Sequence, residues 1–136
     1  MTHDWRPEHR YIPGQTPRHP EDLFDDIRNT VHSCKDLRKC HAMSMGRAFY
    51  DDGYYWEAHE VLEAVWLKLG PNSGERYAVQ ALIQLANGRL KLRMGMPKAA
   101  VRLADIAQDL WEKADHSWFS DAWIRQEISD LRHRAS

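Results

Sequence analysis

Residues 55–66, Tyr55-Trp56-Glu57-Ala58-His59-Glu60-Val61-Leu62-Glu63-Ala64-Val65-Trp66, decide how this chain is read. Nothing in the run breaks a helix, and apolar side chains return at the three- and four-residue spacing of a helix that buries one face. At about 100° per residue, Tyr55, Ala58, His59, Leu62, Val65, Trp66 and Leu69 share that face. Glu57, Val61, Ala64 and Lys68 are then expected toward solvent. The pattern predicts a helix over 54–69, stopped by Gly70-Pro71.

The same reading extends in both directions. Pro20 and the acidic Glu21 and Asp22 open a helix expected over 20–33, and a second is expected over 36–52. Gly53 suits the left-handed cap that would end the second. After the loop at 71–74, helices follow over 75–94 and 97–114, with Gly95 and Pro97 between them. A sixth helix, capped by Ser117 or Ser120, carries Phe119, Trp123, Ile124, Ile128 and Leu131. Strand-like alternation is missing, so the class is all-α.

Residues 1–20 hold four of the six prolines, and no apolar periodicity runs through them. The expected organisation is an extended arm over 1–19 and a single helical domain over 20–136. An internal repeat gives that domain its plan. Gly46, Phe49, Gly53, Ala58, Leu62 and Val65 recur 42 residues later as Gly88, Lys91, Gly95, Ala100, Ala104 and Ala107. Small residues where helices meet, and Gly at the turn between them, predict two stacked antiparallel hairpins resembling tetratricopeptide units. Two copies fall short of a superhelical array, so the expected fold is a compact array of five to six helices.

Composition narrows the function. The 136 residues carry a formal charge of −1, with basic side chains scattered, which offers no field for nucleic acid or an anionic membrane. No apolar run approaches the ~18 residues of a membrane span, and the polar N-terminus lacks a secretion signal, so a cytoplasmic location is expected. Cys34 and Cys40 make no disulfide framework. Six Trp in a short chain suit a ligand site or a homodimer contact.

The chemistry on offer lies in the helix over 54–69. His59 and Glu63, at i and i+4, point the same way and can share a proton or a metal. The pair is expected on the packing face, where a carboxylate needs a partner. One reading is a structural core pair. The other is a metal site with His59 and Glu63 as ligands and Glu60 as general base, a variant of the zinc-binding His-Glu-x-x-His helix. Zinc would need a third ligand, with His19, His32 and His41 as donors. His32, Cys34, Cys40 and His41 match no common zinc spacing among themselves.

Three stretches together resemble the domain of unknown function 309 family. The first is Gly53-Tyr54-Tyr55-Trp56-Glu57-Ala58-His59-Glu60 with Glu63 and Trp66. The second is Ala81-Leu82-Ile83-Gln84-Leu85-Ala86 with Lys91, Arg93 and Gly95. The third is the arm Arg10-Tyr11-Ile12-Pro13-Gly14-Gln15-Thr16-Pro17, followed by His19-Pro20 after an intervening Arg18. The resemblance covers roughly 10–107 and implies a compact helical array. It also implies the label "predicted metal-dependent hydrolase", a divalent cofactor such as zinc, and His19 as the third ligand closing over the helix. Trp56, Trp66 and Gln84 become candidates to touch a substrate or support the ligands, although a polar stripe of Gln80, Gln84, Asn87 and Lys91 ordinarily meets water. The competing expectation is a non-enzymatic helical module that binds a small molecule or peptide.

Overall fold

The computed structural model describes residues 5–136. Six α-helices form among them, and no strand does: α1 Asp25–Asn29, α2 His41–Asp51, α3 Tyr55–Lys68, α4 Gly74–Arg93, α5 Pro97–Lys113 and α6 Asp121–Ala135. Two 3₁₀ segments, Thr30–Ser33 and Leu37–Lys39, lie between α1 and α2. The chain is all-α. No described helix is long and apolar enough to cross a membrane. Two compact units arise, the first ending at Lys68 and the second spanning Leu69–Ser136.

In the first unit, α2 and α3 form a hairpin around Gly53, whose φ is 81°. Tyr54 N–H donates to Phe49 O at 2.8 Å, and Gly53 N–H to Tyr50 O at 3.1 Å. This pair of bonds, made possible by a residue in the left-handed region, is a Schellman cap. Gly46 lets α2 and α3 approach closely, since a Cβ there would lie 2.4 Å from Leu62 Cδ2. Phe24, Ile27, Met45, Phe49, Val61, Leu62 and Val65 fill the core.

The helix expected over 20–33 is much shorter. Residues 20–24 form turns, with Leu23 N–H bonded to Pro20 O and Asp25 N–H to Asp22 O. After α1, the Thr30 hydroxyl donates to Ile27 O and accepts from Ala42 N–H, tying the chain into 3₁₀ geometry. The helix expected over 36–52 also starts late. Cys40 is extended (φ −62°, ψ 145°), so it precedes α2 and does not sit on its face.

The second unit repeats the device. α4 ends at Gly95, φ 74°, with Met96 N–H on Lys91 O at 2.9 Å and Gly95 N–H on Leu92 O at 3.1 Å. α5 returns with Ala100, Ala104 and Ala107 buried, and α6 packs Leu131 against Gly88. Of the two serines offered as the cap of α6, Ser120 accepts from Trp123 N–H, while Ser117 joins the turn at Asp115. The Trp111 indole, buried at this end, donates to Asp121 Oδ1 at 2.7 Å.

One expectation about α3 is overturned. Its buried face is Glu57, Ala58, Val61, Leu62 and Val65. Ala58, Leu62 and Val65 were expected there, whereas Glu57 and Val61 were expected in water. His59 and Glu63 lie outside that face, with side chains 27% and 50% exposed, so they are no core pair. A carboxylate sits in the core instead, and the helix is turned accordingly.

Candidate functional site

Glu57 occupies the first turn of α3, where unpaired backbone N–H groups favour a negative charge. It is fully buried, a costly place for a carboxylate without donors. The arm supplies them. Glu57 Oε2 accepts Tyr11 N–H at 2.7 Å and the His19 Nε2 hydrogen at 2.6 Å. Its Oε1 is buried with no hydrogen-bond partner among the described residues.

The arm is shaped to make these bonds. Gln15 and Thr16 N–H both donate to Ile12 O, and Gly14 turns the chain at φ 82°. Thr16 Oγ1 bridges Ile12 N–H and Arg10 O, and the His9 ring meets Pro17 O at 2.7 Å. Two arginines hold the arm to the α2–α3 turn: Arg6 Nε bonds Asp52 Oδ2 and Arg10 Nη2 bonds Asp52 O. The His19 side chain is only 3% exposed. His9, Phe24 and Trp56 surround it at ring-centroid distances of 4.6, 5.6 and 6.0 Å.

Two clefts open beside His19. One, of about 220 Å³, is lined by Arg18, His19, Pro20, Glu21, Phe24, Arg28, Trp56 and Glu60. The other, of about 430 Å³, runs toward Trp5 and shares Arg18, His19 and Pro20. Glu60 is held at the rim by Arg28 Nη2 at 3.1 Å, and Arg28 also bonds Asp25.

The residues expected to form a metal centre are not brought together. His59 Nε2 pairs with Glu63 Oε2 at 3.0 Å near the surface, while His19 bonds Glu57. Among the described residues, no group of three or more His, Cys, Asp or Glu side chains is placed to hold a metal ion. The donor set therefore does not fit the metal implied by the family resemblance. Trp66 lies half-buried on α3, and Gln84 half-buried on α4 in the second unit. Cys34 donates to Asp36 O, and Cys40 Sγ lies 3.5 Å from Thr30 Oγ1.

Residues 43–103 match the model of a family described as a domain of unknown function, DUF309. Over that stretch, a little under half of its length, the chain is similar to the DUF309 family. No curated protein and no solved structure matches it. The DUF309 segment includes α3 with Glu57, Trp56 and Glu60, but not the arm that carries His19 and Tyr11.

Sequence reasoning missed Glu57, Tyr11, Phe24 and Arg28 as parts of this site. Two signals were present: an acidic residue in a helix first turn, and a histidine fixed before Pro20 in an arm with three further prolines.

Proposed function

We propose that this protein is a non-enzymatic helical binding module whose small-molecule site is the 220 Å³ cleft between the arm, α1 and α3. The bond between His19 Nε2 and Glu57 Oε2 carries this reading. It commits the arm histidine to a buried carboxylate and makes the arm one wall of the cleft. Glu60, the candidate general base, is likewise committed to Arg28. Trp56 and Phe24 supply the apolar wall that small-ligand sites use, with a few polar groups to orient the occupant. The metal-dependent hydrolase reading would require a third ligand beside His59 and Glu63, and the bond from His19 to Glu57 supports the binding-module reading over it. A reducing, cytoplasmic setting accords with two free thiols.

Two measurements test this. Fragment screening by ligand-observed NMR should give binders whose signal falls by tenfold or so when Trp56→Ala removes the wall, with the fold intact by circular dichroism. Elemental analysis of untagged protein should show no stoichiometric metal, and chelator should leave the melting temperature unchanged. Stoichiometric metal that is lost on His59→Ala would overturn the reading in favour of the hydrolase.

A further inference from the structure

We infer that Cys34 and Cys40 are a redox modification site, a dithiol that a small disulfide such as glutathione disulfide converts reversibly into an intramolecular Cys34–Cys40 disulfide. The site stands at the entry to α2 and uses none of the residues that line the cleft.

The backbone brings the two thiols together. Cys34 ends the first 3₁₀ segment and Cys40 the second, each in an extended conformation with ψ of 122° and 145°. Between them Lys39 N–H donates to Asp36 O at 3.0 Å and Cys40 N–H to Leu37 O at 3.2 Å, which folds the segment back on itself. The Cys34 thiol donates to Asp36 O at 3.1 Å, at the start of the turn that delivers Cys40. Cys40 Sγ lies 3.5 Å from Thr30 Oγ1, on the turn that delivers Cys34. Each sulfur thus sits against the turn that carries the other, and the two side chains are in hydrogen-bond contact.

Access differs between the two. Cys34 is half-exposed, while Cys40 is 1% exposed, so an incoming disulfide reaches Cys34. The Cys34 thiolate attacks one sulfur of glutathione disulfide, whose S–S bond breaks, and the first glutathione leaves and takes up the proton. The Cys40 thiolate then attacks the Cys34 sulfur and expels the second glutathione, which takes up the other proton. Two protein thiols are oxidised and one disulfide is reduced to two thiols. Cys34 also loses the hydrogen it gave to Asp36 O. Burial and Cys40 hold the Cys34 thiol above its ordinary 9.0, so the first step is slow and quickens with pH. In a reducing compartment a disulfide of this kind is transient, as redox-sensing ones are.

Glutathione buffers test this on the full chain. Wild type equilibrated with glutathione and glutathione disulfide, then acid-quenched and mass-mapped, should lose two hydrogens and carry a Cys34–Cys40 link. Excess glutathione should restore both thiols. Cys40→Ser should instead accumulate a glutathione adduct on Cys34, since nothing resolves it. Repeating the wild-type equilibrium in urea separates this geometry from mere nearness in sequence. The native chain should need about tenfold less glutathione disulfide for half-oxidation than the unfolded one. An adduct that persists on wild-type Cys34, a disulfide between two chains, or thiols left untouched would overturn the inference. So would an unfolded chain that oxidises as readily as the native one.

Discussion

His19 Nε2 and Glu57 Oε2 lie 2.6 Å apart, joined across 38 residues of chain. The contact explains how a glutamate can occupy the core face of α3. Desolvation opposes a buried carboxylate, and donors must offset it. The helix N-terminus contributes its field, while Tyr11 and His19 contribute the hydrogen bonds. The arm and α3 are thus mutually dependent.

The first prediction sets Glu57 against His59. Removing one partner of a buried pair costs about 3–5 kcal/mol, because the other is left uncompensated. Glu57→Ala should lose stability of that order in urea unfolding and expose residues 8–18 to limited proteolysis. His59→Ala breaks a partly exposed i,i+4 pair, for which less than about 1 kcal/mol is expected. Equal losses in the two variants would show that the arm is not held through Glu57.

Acid should act on the second unit through Asp121. The Trp111 indole N–H, followed by the Arg125 guanidinium, holds its carboxyl below the ordinary 3.8, against a smaller opposing effect of desolvation. A lowered folded value means that the contribution is complete above 3.8 and is lost as pH falls through the lower value. Asp130 acts in the same direction, lowered by Arg134 and then Arg89. Asp121→Asn should therefore be less stable than wild type at neutral pH, with the difference closing below about pH 4. Urea midpoints at a series of pH values check this. A difference that persists unchanged into strong acid would contradict it.

Cys34 should react slowly despite being half-exposed. Desolvation, and then its hydrogen bond with Cys40, push the thiol above its ordinary 9.0, although the bond to Asp36 O opposes them. The thiolate is the nucleophile, so iodoacetamide should alkylate Cys34 more slowly than a free thiol at about pH 8. Cys40→Ser should speed the reaction. A wild-type rate matching free cysteine would count against this environment.

What could be read from sequence was whatever carries local punctuation. Helices α3 to α5 start and end within a residue or two of expectation, because Gly53, Gly95 and Pro97 act through backbone geometry, and one of the two serines expected to cap α6, Ser120, does so through its hydroxyl. The repeat was legible for the same reason. Lys91, a poor chemical match to Phe49, proves equivalent to it: both supply the carbonyl that closes a Schellman cap, which any side chain permits. The site was less legible because it depends on distant pairing. Glu57 looks like a solvent residue until the arm's donors are known, and that one misplacement moved His59 and Glu63 onto the packing face. The shortness of α1 depends similarly on Thr30 reaching Ala42.

The repeat supports a final prediction, in which equivalent glycines respond differently. Alanine in a helix is favoured over glycine by about 1 kcal/mol, so each Gly→Ala variant starts with a gain. At Gly46 the new Cβ would lie 2.4 Å from Leu62 Cδ2 and 2.5 Å from Cγ. A branch atom so near the backbone cannot swing clear, so the whole Leu62 side chain or the helix must move. Such overpacking costs about 1–3 kcal/mol, enough to cancel the gain and exceed it. At Gly88 only Leu131 Cδ2 is too close, at 2.6 Å, while Leu103 Cβ and Ala100 O remain at 3.5 and 3.6 Å. A methyl end can rotate away, leaving Gly88→Ala near neutral. Thermal and urea unfolding should therefore rank Gly46→Ala clearly below Gly88→Ala. The reverse order would mean that the α2–α3 contact is looser than the one between α4 and α6.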